Sequence, residues 1–192
     1  MSVYGGGGGG GDNGNSIYTP SVCRALNYQL KPEWVNNILT AQREDESFKQ
    51  EFLEAHNQYR KQHQAPELTY SDELCSAAHK WAAHMLSNKA LAHSDTDNGE
   101  NVFYSYNSDK NTPTGKEAVD SWYSEIKDYN FNTPGHQPKT GHFTQVVWKS
   151  STELGVGLAT DGNTVYVVGQ YKPAGNITNA GYYEENFLPK TE

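Results

Sequence analysis

The chain has 192 residues but only two cysteines, Cys23 and Cys75. Two thiols cannot build the disulfide framework of a small secreted domain. The N-terminus, Met1-Ser2-Val3-Tyr4-Gly5, carries neither the basic nor the apolar region of a signal peptide, and Ser2 is not the glycine that N-myristoylation requires. These shortages predict an intracellular, reduced, cytoplasmic protein, with release by a signal-peptide-independent route as the alternative. In that compartment the glycosylation acceptor Asn176-Ile177-Thr178 carries no weight. No stretch approaches the roughly 20 apolar residues of a membrane-spanning helix, so no transmembrane segment is expected. The net charge is −8, and no stripe gathers the Lys and Arg residues, which excludes a nucleic-acid backbone as the main partner and a polybasic membrane anchor. There is no glycine-rich phosphate loop, dinucleotide fingerprint, His-Glu-x-x-His or Gly-x-Ser-x-Gly, so the common nucleotide-binding and hydrolytic signatures are missing. Small molecules, metal ions and other proteins remain as partners.

The chain divides near residue 45. Gly5 to Gly11 is an unbroken glycine run followed by Asp12-Asn13-Gly14-Asn15, and such a composition buries too little apolar area to offset its backbone entropy. Residues 1–45 are therefore predicted to be a flexible, disordered extension. Within it, Trp34, Val35, Ile38 and Leu39 recur at helical spacing behind Pro32. They suit a short amphipathic helix packed on the domain or lightly populated in solution, with one docking to a partner or membrane surface as the alternative.

Residues 46–192 are expected to form a single α+β domain. Phe48, Phe52, Ala55 and Tyr59 mark a helix over Glu46 to His63, ended near Pro66. Ser71 opens a second helix bearing Leu74, Ala77, Ala78, Trp81, Ala82 and Met85. Thr114-Gly115-Lys116-Glu117 is a capping box opening a third, with Ala118, Val119, Trp122 and Ile126 on its buried side. Leu154–Thr160 and Thr164–Tyr171 alternate around Asp161-Gly162-Asn163 as a hairpin. Helices followed by strands, without a βαβ rhythm, argue against a doubly wound sheet.

Chemistry centres on histidine. His79 and His84 are five residues apart on one helix and share no face, and they are expected to be solvated or capping, as are His56, His63 and His136. Cys75, beside Ala77 and Ala78, is expected to be a small buried hydrophobe. His93, Glu100, Glu125 and His142 fall at turns and element starts where side chains can converge. Two imidazoles and two carboxylates are a plausible donor set for zinc or another divalent ion, although structural roles in loop hydrogen bonds remain the alternative on spacing alone.

Gly141-His142-Phe143-Thr144-Gln145-Val146-Val147-Trp148-Lys149-Ser150-Ser151 resembles the first signature of the CAP superfamily (cysteine-rich secretory proteins, antigen 5 and pathogenesis-related proteins). Tyr166 to Ile177 resembles the second signature, with Gly169 where secreted members carry a cysteine. His56-Asn57-Gln58-Tyr59-Arg60, Leu91-Ala92-His93-Ser94, Gly99-Glu100-Asn101-Val102 and Trp122-Tyr123-Ser124-Glu125 are similar to further family segments. The stretches Trp122 to Phe131 and Gly181 to Pro189 are most like the intracellular Golgi-associated plant-pathogenesis-related branch. The resemblance covers about residues 46 to 188 and leaves the extension outside it.

The resemblance implies an α-β-α sandwich whose central cleft holds His93, Glu100, Glu125 and His142, with zinc as the ion. It also implies lipid or sterol binding by the loop Asp128–His136, where Tyr129, Phe131, Pro134 and His136 are the candidates, though the two rings equally suit packing of the loop onto the domain. The favoured expectation is a non-enzymatic binding protein holding lipid, sterol or an anionic membrane surface, peripheral on Golgi or other endomembranes. A zinc-dependent hydrolase using the same cleft is the first alternative. An interaction scaffold, acting as a homodimer or with another protein, is the second.

Overall fold

The computed structural model describes residues 32–191. The glycine run, Cys23 and the rest of the expected flexible extension before Pro32 lie outside the described residues. The chain divides into Met1–Thr40 and Ala41–Glu192, and the architecture below is that of the second unit.

Helix α1 spans Pro32–Gln62. No proline or glycine interrupts the sequence between Glu33 and Gln62, so the helix passes through Asp45, where the sequence places its boundary. From Ala41 onward, its buried face is carried by Phe48, Phe52, Ala55 and His56. The short strand β1 (Thr69–Tyr70) leads into α2 (Asp72–Asn88), which is capped as expected: Ser71 accepts from the Leu74 amide at 3.3 Å. Lys89 closes α2 in the left-handed conformation.

Strand β2 (Gly99–Tyr106) follows, then α3 (Gly115–Tyr123), where Thr114 and Glu117 complete the predicted capping box. α3 is shorter than its apolar pattern implies. Ser124–Asp128 tightens into a 3-10 turn, which leaves Ile126 half-buried against the core rather than on the helix itself. The helix α4 (Gly141–Val146), the hairpin strands β3 (Glu153–Thr160) and β4 (Thr164–Lys172), and a last short helix α5 (Tyr182–Asn186) complete the unit.

The four strands make one sheet in the order β1-β3-β4-β2, antiparallel except for the β1–β3 pair. Alternation along β4 assigns the two layers. Val165, Val167 and Tyr171 join Phe52, Trp122 and Phe143 from α1, α3 and α4, whereas Tyr166 and Val168 join Ala78, Ala82 and Met85 of α2. The result is an α-β-α sandwich. Its closest layer contact is set by glycine: a Cβ at Gly155 or Gly157 would overlap the α2 main chain at Leu74 or at Ala78 and His79.

Two histidines depart from expectation. His56 and His63 are not solvated but fully buried. Each satisfies both ring nitrogens, His56 with the Phe52 carbonyl and Tyr171 hydroxyl, His63 with the Leu188 carbonyl and Tyr123 hydroxyl. Beside them Arg60 is buried with no carboxylate partner among the described residues, its guanidinium donating to the carbonyls of Pro66, Val146, Trp148 and Ser151. That fan of donors fixes the turn between α4 and β3.

A candidate site of two histidine–glutamate pairs

The four candidate metal-site residues are arranged as two pairs. Glu100 lies at the start of β2, one residue after Gly99, and its side chain is only 3% exposed. Its Oε1 accepts from His93 Nδ1 at 3.0 Å and from the Ser94 amide at 2.8 Å. Its Oε2 accepts from the Ser94 hydroxyl and from Gln170 Nε2 at 3.2 Å. Gln170 is the register partner of Glu100 across β2 and β4, so the sheet itself delivers that donor. Asn98 in turn donates to Gln170 Oε1 at 3.4 Å.

Burial alone would push the Glu100 carboxyl pKa up. The hydrogen bonds from His93, Ser94 and Gln170 outweigh it and hold the group below its ordinary value, as an anion. For His93 the hydrogen bond to Glu100 is the largest influence, and it raises the imidazole pKa against the opposing effect of burial. His93 is 62% exposed, so the two imidazoles are not both buried as the expected cleft implied.

The second pair is built by α4. Its N-cap residue Thr140 provides no side-chain cap, and Glu125, reaching over from the 3-10 turn, takes that role. Glu125 Oε1 accepts from the amides of His142 and Phe143 at 2.9 and 3.1 Å, and Oε2 accepts from His142 Nδ1 at 2.9 Å. The carboxylate thus sits on the exposed amides of a helix start and simultaneously orients the ring. The His142 ring lies parallel to Trp122, with centroids 6.4 Å apart and planes 9° apart.

A carboxylate oxygen only accepts, so Nδ1 of both histidines carries the proton when the ring is neutral, and Nε2 keeps its lone pair. Neither Nε2 has a partner among the described residues. This is the orientation in which a histidine ligates a metal through Nε2 with a carboxylate behind it. The residues fit a divalent ion to that extent. They do not amount to four ligands: among the described residues no three His, Cys, Asp or Glu side chains are grouped to hold an ion. The glutamate oxygens are occupied by protein donors, which leaves two imidazole nitrogens as the available protein ligands.

The aromatic loop is folded inward. Tyr129 is buried, and Phe131 is half-buried with its ring parallel to Phe187 at 5.5 Å. Tyr129 stands edge-on to Phe187 at 4.5 Å and to Phe143 at 6.0 Å. Of the four candidates in this loop, Pro134 and His136 face solvent. The Tyr129 hydroxyl accepts from the Gly135 amide at 3.3 Å, which ties the turn down.

Several residues that shape the site escape a reading of the sequence. Ser94 is adjacent to a candidate, and its role follows once Glu100 is placed. Gln170 requires the β2–β4 register, and Asn101, although part of Gly99-Glu100-Asn101-Val102, shows its role only when its amide meets the His142 carbonyl at 3.0 Å. Gln145 is a further support: its Oε1 accepts from the Gly175 amide at 2.9 Å, and a Cβ at Gly99 would overlap the same oxygen.

Residues 53–171 match the cysteine-rich secretory protein family, CAP. The chain is 44% identical to human Golgi-associated plant pathogenesis-related protein 1 over 149 residues, which are 74% of this chain and 93% of that protein. It is 37% identical to the Saccharomyces cerevisiae protein PRY2 over 145 residues, 74% of this chain and 41% of PRY2. Among solved structures, that of NaASP2 with Zn2+ superimposes with a TM-score of 0.60 at 25% identity, covering 77% of this chain and 87% of NaASP2.

Proposed function

The chain belongs to the CAP family, and from that premise we propose that it is a non-enzymatic binding protein in which His93 and His142 take up a divalent ion, zinc first, through their Nε2 atoms. The observation that carries this reading is the shared arrangement of the pairs: a carboxylate on Nδ1 and a lone pair on Nε2. Glu100 and Glu125 act behind the imidazoles, holding each ring in one tautomer. The likeness to NaASP2, crystallised with Zn2+, supports zinc as the first ion to try. A bound zinc would supply a Lewis-acidic centre able to accept an anionic oxygen ligand.

The same residues argue against a hydrolase. Glu100 receives four protein hydrogen bonds and Glu125 three, so neither stands as a free general base, and among the described residues no activated nucleophile accompanies them.

Lipid or sterol binding belongs, in this reading, to the turn Asp128–His136, which exposes Pro134 and His136 while Tyr129 is buried and Phe131 half-buried. Zinc and this turn together would hold the protein peripherally on an anionic endomembrane surface, in keeping with the Golgi association in the name of the human relative. No helix among the described residues is long and apolar enough to cross a membrane.

Calorimetric zinc titration of the wild type against His93→Ala/His142→Ala tests the ion site. Weak or absent heat in the double variant is expected, and equal affinity in the two proteins removes the site. Flotation with anionic and sterol-containing vesicles tests the turn through Pro134→Ser/His136→Ser, which leaves the buried rings in place. Recovery matching the wild type would reject the loop assignment.

A further inference from the structure

Behind His142 runs a chain of buried polar groups that the zinc reading leaves unused. His56 of α1, Tyr171 of β4 and Asn101 of β2 are each 2% exposed or less, and they bring three elements together in an apolar interior. Polar groups so placed are retained at a cost unless every bond is made, and here the bonding directions follow from chemistry alone.

The Phe52 carbonyl lies 2.8 Å from His56 Nδ1 and can only accept, so Nδ1 carries the proton. Burial is the largest influence on His56 and holds its pKa at about 3, so the ring is neutral and Nε2 must accept. The Tyr171 hydroxyl, 2.7 Å away, therefore donates to it. Burial also raises the Tyr171 pKa, which keeps that hydroxyl protonated. Having donated its proton, the Tyr171 oxygen accepts from Asn101 Nδ2 at 3.3 Å. The second proton of the same amide reaches the His142 carbonyl at 3.0 Å. Each bond runs in one direction, and reversing any member would face donor with donor or acceptor with acceptor.

The chain ends on the main chain of the residue whose ring carries the site. Asn101 is the β2 neighbour of Glu100, and Glu100 orients His93. A single amide thus links the strand that positions one histidine to the helix start that presents the other. We propose that His56, Tyr171 and Asn101 are positioning residues that set His142 relative to the Glu100–His93 pair, so that two imidazoles from separate elements can address one ion. This rests on the proposed ion site for its purpose, but not for its physical effect, which is the fixed ring of His142 in the metal-free protein.

The test uses the full chain with Tyr171→Phe, which deletes one oxygen, and Asn101→Ala, which removes the bridge. A third variant, Val165→Ala, destabilises the same core layer without touching the chain of bonds. Nitrogen chemical shifts of the imidazoles are recorded without metal, and zinc affinity is then measured by calorimetry. In the wild type and Val165→Ala, His142 should show one tautomer, protonated at Nδ1. In Tyr171→Phe and Asn101→Ala the His142 main chain loses its tie, the Nδ1 bond to Glu125 loosens, and the imidazole nitrogen shifts should move from the wild-type values, with zinc affinity lower by about 10-fold, the scale on which outer supports act. Unchanged His142 shifts in the two polar variants, or an equal change in Val165→Ala, would overturn the inference. A wild type that binds no zinc refutes the proposed ion site instead, and the metal-free shifts still decide the positioning role. If Asn101→Ala does not fold, Tyr171→Phe alone decides.

Discussion

Replacing His56 by glutamine should flatten the acid side of the stability profile. In the folded protein the His56 pKa falls from 6.5 to about 3, chiefly because the ring is wholly buried, with the nearby Arg60 charge adding to the effect and the Phe52 carbonyl opposing it. Unfolded, the ring recovers its ordinary value. Between about pH 6.5 and pH 3 the unfolded state therefore binds a proton that the folded state refuses, and stability falls as pH falls. For one such group, with unfolded pKa 6.5 and no folded-state protonation in this range, lowering pH from 7 to 5 removes about 2 kcal/mol. His63 is shifted down as well, mainly by burial, and adds to the trend. His93 works in the other direction, since its raised pKa favours the folded state below its unfolded value. Comparing the pH dependence of wild type and His56→Gln cancels both of these terms. Urea unfolding followed by tryptophan fluorescence at pH 7, 6 and 5 is the assay, with unchanged m-values as the check on two-state behaviour. His56→Gln should be less stable than the wild type at pH 7 and should lose about 2 kcal/mol less between pH 7 and 5. Parallel profiles would refute the assignment of His56 as a buried neutral ring.

Glu125→Ala should lower stability by about 1–2 kcal/mol, because it strips the acceptor from two amides at the start of α4; an unchanged melting temperature would show that solvent caps this helix equally well. Gly157→Ala, which drives a methyl into the α2 main chain, should cost about 1–3 kcal/mol in chemical denaturation. A neutral result there would mean that helix and sheet can separate without loss. Thr114→Ala breaks the capping box of α3 and should cost about 1 kcal/mol, read from the same unfolding curves, and the zinc titration of this variant should match the wild type.

The elements legible from sequence are those whose signals are local. Ser71 and the Thr114–Glu117 box mark helix starts through side-chain bonds spanning three residues, and Asp161-Gly162-Asn163 joins strands adjacent along the chain. Strand β2 gives no such signal. It is an edge strand whose outer half exposes Tyr104 and Tyr106, so its apolar pattern does not follow its burial. The buried histidines are illegible for a related reason. His56 is satisfied by a hydroxyl 115 positions away and His63 by a carbonyl 125 positions away, and residue type alone favours solvent for both. Within each candidate pair the partners are close in sequence, 7 and 17 positions apart. What joins the pairs is the β2–β4 register and the reach of Asn101, which are tertiary facts; in the sequence, placement at turns and element starts only suggests the set of four, and the family resemblance adds weight to it.

The same tertiary facts explain how this interior manages without a cysteine at position 169. Gly169 lies opposite Asn101 in the sheet, on the face shared with α1 and α3. A Cβ there would stand 3.3 Å from Phe52, from Trp122 and from the Tyr171 hydroxyl, so aromatic groups already close the space above the glycine. Phe52 meets Trp122 edge-on at 5.7 Å and His56 at 4.6 Å, and Trp122 continues the stack to His142. Packing of this kind stabilises by buried area and ring geometry and does not depend on the redox state of the surroundings. It also places the substitution beside the candidate site, because Trp122 donates to the Val102 carbonyl at 3.1 Å while its ring backs His142. A side chain larger than a methyl at 169 would have to displace Phe52, Trp122 or the Tyr171 hydroxyl, and of these Trp122 connects to His142 through the ring stack and Tyr171 through Asn101.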